Sequence, residues 1–184
     1  MNAPISSFDP FALVETSAAQ VRVASPCGRL SLRARGDLAP LNAALGLTLP
    51  EKIGQRVSEG NLEAICLGPD EWKLETETGA VAGIEEACAK VYAELPHALV
   101  DISAREATFV IEGVRAAELL TLGCPRDIAT IEVGTGRRTV FDGATVLIWR
   151  DGANSFRMDV WNSFAPYLFA LLDTGCRELA AEAA

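Results

Sequence analysis

The stretch LSLRARGDLAPLNAALG, residues 30–46, contains the pattern that decides the fold. Apolar and polar residues alternate up to residue 35, as they do in a half-buried strand, and Gly36 ends the alternation. Asp37 can then cap a short helix with Leu41 on its apolar face, and Gly46 ends that helix. The stretch therefore predicts a strand, a sharp turn and a helix.

The same pattern occurs again 77 residues later. Residues 108–123, TFVIEGVRAAELLTLG, predict a strand that Gly113 breaks and a helix that Gly123 and Pro125 end. Gly113 and Gly123 each follow their counterparts in the first stretch by the same 77 residues. We predict an internal duplication.

Each copy continues into a predicted hairpin and a closing helix. In the first copy the turn is residues 68–71 and the helix spans residues 80–94. Its apolar positions recur at helical spacing: Ile84, Cys88, Val91 and Tyr92. In the second copy the turn is residues 151–154, and Phe156 takes the place of Trp72. Its closing helix is predicted to bury three leucines: Leu168, Leu171 and Leu172.

Two strand–helix–hairpin–helix units predict an α+β domain, in which helices cover antiparallel sheet. Neither unit would close a core alone, so we predict one domain at residues 28–177, made of half-repeats 28–97 and 98–177. Residues 1–27 are predicted to form an N-terminal arm outside the core, and residues 178–184 a tail. Four apolar residues of the arm are candidates for docking on a partner: Phe8, Phe11, Leu13 and Val14.

The composition limits the partners. The chain of 184 residues has a formal net charge of −9 and only 16 scattered Lys and Arg, a balance that repels nucleic-acid phosphates and anionic membrane surfaces. No stretch approaches the ~20 apolar residues of a membrane helix, and the first residues lack a secretory signal pattern. The five cysteines are an odd number at irregular intervals, which favours reduced thiols. We expect a cytoplasmic protein.

Few residues offer catalytic chemistry. His97 is the sole histidine, so a histidine pair, triad or metal cluster cannot be built from this chain, and we interpret it as a surface or linker residue. The sequence has no CxxC motif for zinc or redox chemistry. Cys124, beside Pro125, is interpreted as a buried inert thiol, with a reactive thiol as the alternative. We predict no catalytic, cofactor-binding or metal-binding residue in this chain.

Two polar stretches are weaker candidates. Residues 134–138, GTGRR, offer backbone N–H groups with Arg137 and Arg138 for an anion, but a turn with solvated arginines is favoured because P-loop and dinucleotide spacings are missing. The second stretch offers four residues for a polar pocket: Asp101, Ser103, Arg105 and Glu106. Strand alternation, which places the first three opposite Val100 and Ile102, favours a half-exposed strand instead.

Five short segments occur in one order and spacing: residues 66–72 (CLGPDEW), 99–103 (LVDIS), 123–127 (GCPRD), 155–161 (SFRMDVW) and 163–168 (SFAPYL). Together they resemble the gamma subunit of heterotetrameric sarcosine oxidase, over residues 27–173. The second half of the chain also resembles the folate-binding fold of aminomethyltransferases. That resemblance implies the duplicated α+β architecture.

The resemblance implies a non-catalytic gamma subunit that supports assembly of a complex. In that complex sarcosine is oxidatively demethylated to glycine and the one-carbon unit passes to tetrahydrofolate, so the chain would be part of an oxidoreductase while inactive alone. The implied partners are the alpha, beta and delta subunits, which would hold FAD, FMN, NAD, tetrahydrofolate and zinc. The small subunit of N-methylglutamate dehydrogenase is similar too and stays an alternative, as does a free-standing folate-binding module.

A stand-alone aminomethyltransferase is a further alternative, and it would need a carboxylate near the second hairpin. The corresponding residues 143–147, GATVL, contain none, although Asp142 lies just before them. Three aromatic residues stand at strand positions that favour core packing or a partner interface over stacking on a pterin: Trp72, Phe156 and Trp161. We predict that the chain alone does not bind tetrahydrofolate specifically.

Overall fold

The computed structural model describes residues 12–182. These residues form eleven strands and four α-helices: β1 (Leu13–Glu15), β2 (Gln20–Val23), β3 (Gly28–Ala34), α1 (Ala39–Leu45), β4 (Arg56–Glu59), β5 (Leu62–Gly68), β6 (Glu71–Thr76), α2 (Val81–Val91), β7 (His97–Asp101), β8 (Glu106–Glu112), α3 (Ala116–Thr121), β9 (Thr135–Phe141), β10 (Ala144–Arg150), β11 (Ser155–Trp161) and α4 (Ala165–Glu182). The predicted α+β class is confirmed.

The chain divides into two compact units. The first unit takes the described residues up to Ser25, then Glu106–Val133, and the chain from Thr139 onward. The second unit takes Pro26–Arg105 and Gly134–Arg138. The boundary therefore follows residue 105 rather than the predicted residue 97, because β7 pairs with β3 and completes the second unit's sheet. That the two units fold as one domain stays a prediction.

The predicted duplication is visible in the strand orders. The second unit has a five-stranded sheet in the order β4-β5-β6-β3-β7, and the other sheet has the order β9-β10-β11-β8-β2-β1. In each unit a strand and short helix lead to a hairpin and a closing helix. Gly36 and Gly113, the matched turn residues, both have positive φ, 104° and 131°, where a side chain is strained.

β3 and β8 occupy the same position in the two copies, but the strand on their outer side differs in origin. It follows the copy in one case and precedes it in the other. β7 follows its copy and pairs antiparallel with β3, whereas β2 precedes its copy and pairs antiparallel with β8 through Val21 and Ile111. Val14 and Val21 are 5% and 0% exposed in the first unit's core. The predicted arm is therefore wrong for residues 13–23, since the four residues of β2 are too few to show periodicity. Phe8 and Phe11 lie outside the described residues.

Each core lies between one face of a sheet and its helices. In the first unit α4 buries Leu168, Leu172 and Leu179, so the predicted tail is wrong for residues 178–182, which continue the helix. In the second unit α1 buries Leu41, and α2 buries Cys88.

Three details of the predicted helices differ. Tyr92, which directly follows the last residue of α2, is 54% exposed. Leu171 is half-buried. Gly46 ends α1 in the left-handed conformation, with φ of 64°, whereas its repeat partner Gly123 is needed for space, because a Cβ there would lie 2.8 Å from the Phe141 ring.

Candidate functional sites

His97 lies on β7 and is half-buried. Its Nδ1 is 2.8 Å from the carbonyl oxygen of Leu95, and its ring meets Tyr92 edge-on with centroids 5.4 Å apart. Together with Cys88 and Leu99 these rings line a shallow cleft of about 290 Å³ beside α2. The structure therefore places the histidine in an edge strand beside a cleft, not in a linker.

The five cysteines, all within residues 12–182, form no disulfide and differ in exposure. Cys27 is half-buried, and the other four are buried: Cys66, Cys88, Cys124 and Cys176. Burial raises the pKa of Cys66 and Cys88, and it raises the pKa of Cys176 to about 11. The Sγ of Cys124 lies 3.8 Å from the Thr139 hydroxyl. Its burial agrees with the interpretation as an inert thiol.

The two arginines of the stretch 134–138 differ in exposure, since Arg137 is half-buried and Arg138 is exposed. The N–H of Gly136 donates to the carbonyl of Gly54 at 3.0 Å, and Arg137 packs so closely that a Cβ on Gly54 would lie 1.1 Å from its Nη1. Arg138 Nη1 donates to Glu71 Oε2 at 3.1 Å, and this pairing holds the pKa of Glu71 below its ordinary value. The prediction of solvated arginines therefore agrees with the exposed Arg138, whereas Arg137 is half-buried and packs inside the second unit.

The stretch 101–106 forms a turn instead of a continued strand. Asp101 Oδ1 accepts hydrogen bonds from the Ser103 N–H at 2.8 Å and from its hydroxyl at 2.6 Å, which lowers the pKa of Asp101. Ser103 Oγ in turn accepts from the N–H of Arg29 at 2.9 Å. The alternation predicted here is wrong, because β7 ends at Asp101 and Val100 is 50% exposed. Asp101 and Ser103 tie the turn to the start of β3.

A buried polar network in the first unit was not predicted from the sequence. Asp159, only 2% exposed, accepts a hydrogen bond from Trp149 Nε1 at 2.5 Å through Oδ2 and another from the Thr108 hydroxyl through Oδ1. The guanidinium of Arg157 lies 4.6 Å from the centroid of the Trp149 ring and pairs with Asp151 at 2.8 Å. The network spans β8, β10 and β11. A buried indole requires an acceptor, which is the signal that could have identified Asp159.

Asp142 lies in the turn between β9 and β10 with φ of 44°. Its carboxylate accepts a hydrogen bond from the hydroxyl of Tyr167 on α4, and this bond raises the pKa of Tyr167. In the stretch 143–147, Ala144 is buried and Thr145 is exposed. The carboxylate nearest to the predicted folate position is therefore engaged with a tyrosine.

The aromatic residues singled out in the sequence divide into two groups. Trp72 and Phe156 are 3% and 0% exposed, so core packing is confirmed for them. Trp161 is 48% exposed, and Phe164 and Tyr167, which follow it within six residues of the chain, are 43% and 54% exposed. We call these three side chains the aromatic patch.

Two further features of residues 12–182 concern metal ligands and membrane-spanning helices. Within that range no group of three or more His, Cys, Asp or Glu side chains could hold a metal ion. Among the helices formed there, none has the length and apolar character to cross a membrane.

Comparisons with known proteins agree on one family. A family model described as "Sarcosine oxidase, gamma subunit family" matches residues 35–178. The sarcosine oxidase subunit gamma of Corynebacterium sp. (strain U-96) is 31% identical over 150 residues, which are 79% of this chain and 72% of that protein.

Two solved structures give the corresponding result for the fold. A chain of the heterotetrameric sarcosine oxidase from Corynebacterium sp. U-96, in complex with pyrrole 2-carboxylate, is similar with a TM-score of 0.79 and 27% identity, covering 91% of this chain and 88% of that one. Aminomethyltransferase T from Bartonella henselae is similar with a TM-score of 0.62 and 16% identity, covering 85% of this chain and 46% of that one. The second likeness concerns the fold alone.

Proposed function

The chain belongs to the sarcosine oxidase gamma subunit family, and from this premise we propose that it is the non-catalytic gamma subunit of a heterotetrameric sarcosine oxidase. The observation that carries the proposal is the family match over residues 35–178. The role is to support assembly with alpha, beta and delta subunits. The complex would oxidatively demethylate sarcosine to glycine and pass the one-carbon unit to tetrahydrofolate in the cytoplasm.

The contacts of the polar residues support a structural role. Both carboxylate oxygens of Asp159 accept hydrogen bonds from neighbouring strands, so this buried acid holds the sheet together. Asp101 and Glu71 are likewise committed to contacts within the second unit. The aromatic patch, in contrast, exposes the side chains that are enriched at protein interfaces. These observations favour a protein whose surface, rather than a pocket, carries its function.

The residues near the second hairpin do not fit tetrahydrofolate. A folate site needs a stacking surface and polar groups matched to the pterin nitrogens, because an unmatched buried donor costs about 1–3 kcal/mol. Asp142 is already bonded to Tyr167, and the following Ala144 and Thr145 carry no charge. We propose that FAD, FMN, NAD, zinc and tetrahydrofolate are held by the partner subunits.

Co-expression of the four subunits tests the proposal. Omission of this chain should reduce recovery of the assembled complex, measured by size-exclusion chromatography with light scattering. The isolated chain should show no flavin absorbance and no oxidation of sarcosine. A complex of normal size and activity without this chain would contradict the assembly role, and a yellow isolated chain would contradict the assignment of flavin to the partners.

Two binding measurements separate the remaining alternatives. Calorimetric titration of the isolated chain with tetrahydrofolate should show no one-to-one isotherm of micromolar affinity, and such an isotherm would support a folate-binding module instead. The assembled complex should oxidise sarcosine in preference to N-methylglutamate. Preference for N-methylglutamate would support the dehydrogenase alternative, which neither the family model nor the Corynebacterium relative favours.

A further inference from the structure

β7 is the outermost strand on one side of the second unit's sheet. The Ile102 N–H, just beyond β7, donates to the carbonyl of Arg29 at 2.9 Å. Backbone groups of an antiparallel strand alternate in direction, so those of Ala98 and Val100 also face β3. The N–H and C=O groups of His97, Leu99 and Asp101 therefore point to the outer side, where no other described strand pairs with them.

This edge has less protection than the other sheet edges. β4 carries Arg56 and Glu59, β9 carries two arginines, and β1 has only three residues. β7, with the sequence HALVD, has its single acid at its last residue, and the three residues before it are apolar, with Val100 50% exposed. Charged residues, prolines and shortness are what usually prevent an edge from pairing with another chain. The β7 edge is thus open to an added strand.

The cleft beside β7 gives this edge a means of selecting its partner. His97 and Leu99 pair with Ala34 and Leu32, both buried on the helix-covered face, so their side chains lie on the side of the sheet that faces α2. The cleft of about 290 Å³ begins there. A strand added to β7 would place alternate side chains over the same cleft, which is how strand addition combines backbone affinity with side-chain specificity.

The charge at the cleft indicates which side chain fits. Among the residues that line it, Glu85 is the carboxylate, and that residue is exposed. The exposed ring of Tyr92 offers an apolar surface and a π face. A lysine or arginine would place its methylene stem against such a ring and its charge near the carboxylate of Glu85.

We propose that the outer edge of β7 and the adjacent cleft bind an extended segment of a partner subunit, which adds as a strand and inserts a lysine or arginine side chain into the cleft. This inference rests on the proposed function as an assembly subunit. It goes further by naming the contact surface and the chemistry of the segment that occupies it.

Proline substitution tests the edge directly. Leu99→Pro removes an N–H that faces outward and leaves the β3 hydrogen bonds intact. Ser58→Pro is the matched control on the opposite edge of the same sheet, because the Cys66 N–H donates to Gln55 O, which by alternation turns the groups of Ser58 outward. Co-expressed with the partner subunits, Leu99→Pro should lower complex recovery at least tenfold, whereas Ser58→Pro should assemble normally.

Hydrogen-exchange mass spectrometry provides an independent measurement on the unsubstituted chain. The peptide spanning residues 96–102 should exchange more slowly in the complex than in the isolated chain, and the peptide spanning residues 56–59 should not change. If circular dichroism shows that Leu99→Pro is unfolded, the inference is tested instead by hydrogen exchange of residues 96–102 and by recovery of the complex with Glu85→Lys. That charge reversal, on an exposed helix position, should weaken assembly by repelling the inserted cation.

The outcomes distinguish this inference from the proposed function. Failure of the unsubstituted chain to join the partner subunits at all would overturn both. Normal incorporation without protection of residues 96–102, and with normal assembly of Leu99→Pro or Glu85→Lys, would overturn the β7 site alone. Protection of the same peptide in the isolated chain that grows with its concentration would show that a second copy occupies the edge, and this too would overturn the partner-subunit inference.

Discussion

The indole N–H of Trp149 donates a hydrogen bond to Oδ2 of Asp159 across 2.5 Å inside the hairpin of β10 and β11. Asp159 also lies directly opposite Thr108 of β8 and accepts a hydrogen bond from the Thr108 hydroxyl. One carboxylate therefore joins three neighbouring strands. Because it is only 2% exposed, neither donor can turn to water without opening the sheet.

Asp159→Ala should destabilise the protein strongly. The substitution leaves the Trp149 N–H and the Thr108 hydroxyl without this acceptor, at about 1–3 kcal/mol for each buried donor. The free energy of unfolding is measured by urea denaturation. Asp173→Ala on the surface of α4 is the control, and it should change that free energy by no more than about 0.5 kcal/mol. Equal effects of the two variants would show that the buried network contributes nothing particular.

Gly113→Ala should cost more stability than Gly36→Ala, although the two glycines hold the same position in the duplication. Both have positive φ, so alanine is strained by about 1–2 kcal/mol in either place. Only at Gly113 would the new Cβ also lie 2.8 Å from a backbone atom, the carbonyl oxygen of Ala18, whereas at Gly36 the nearest atom is 3.6 Å away. Thermal unfolding of both variants provides the comparison, and equal losses would show that the backbone near Ala18 yields without cost.

Val14→Ala should lower the free energy of unfolding by about 1–2 kcal/mol, because it removes two buried methyl groups from a short edge strand. The neighbouring Leu13→Ala should have little effect, since Leu13 is 54% exposed and Val14 is 5% exposed. Urea denaturation of the two variants tests whether β1 belongs to the core in solution. The opposite order of effects would restore the idea of a docking arm at these residues.

Glu71→Gln should reduce stability at neutral pH and have no effect in acid. Arg138 lowers the pKa of Glu71 from its ordinary value of 4.5, so the ion pair stabilises the fold above that value and loses its effect as the pH falls through the lowered pKa. For a partly exposed pair we expect about 0.5 kcal/mol at about pH 7. The free energy of unfolding, measured at a series of pH values, tests this expectation. Glu51→Gln, at an exposed position, is the control, and it should not change that free energy at neutral pH.

The duplication could be predicted from the sequence because its signals are local. Gly36 and Gly113 lie at turns that need positive φ, which favours glycine. A glycine therefore follows the strand closely in both copies, and the sequence shows it. The hairpins were predictable for the same reason, since turn residues stand between two apolar runs.

The rest depended on pairings between distant residues. Asp159 occupies a strand position where an outward-facing acid is ordinary, and only its closeness to Trp149 and Thr108 makes it part of a buried network. Strand β2 gains its place from β8, which lies far along the chain. Tyr92 matched the helical spacing, but it lies at the C-terminal end of α2 and is 54% exposed. In each case a tertiary contact or the end of a helix determined the environment of the residue, and neither can be predicted from local periodicity.

The placement of β2 ahead of its copy has a consequence for biosynthesis. The first unit is interrupted by the second, so Val21 leaves the ribosome long before Ile111, its partner in the sheet. At about 5–20 residues per second, several seconds pass in which Pro26–Arg105 can collapse while β2 still lacks β8, its second neighbour in the sheet. Newly made chains thus pass through a stage with an unsatisfied N-terminal hairpin, and that stage is where chaperones or premature pairing with another nascent chain would act.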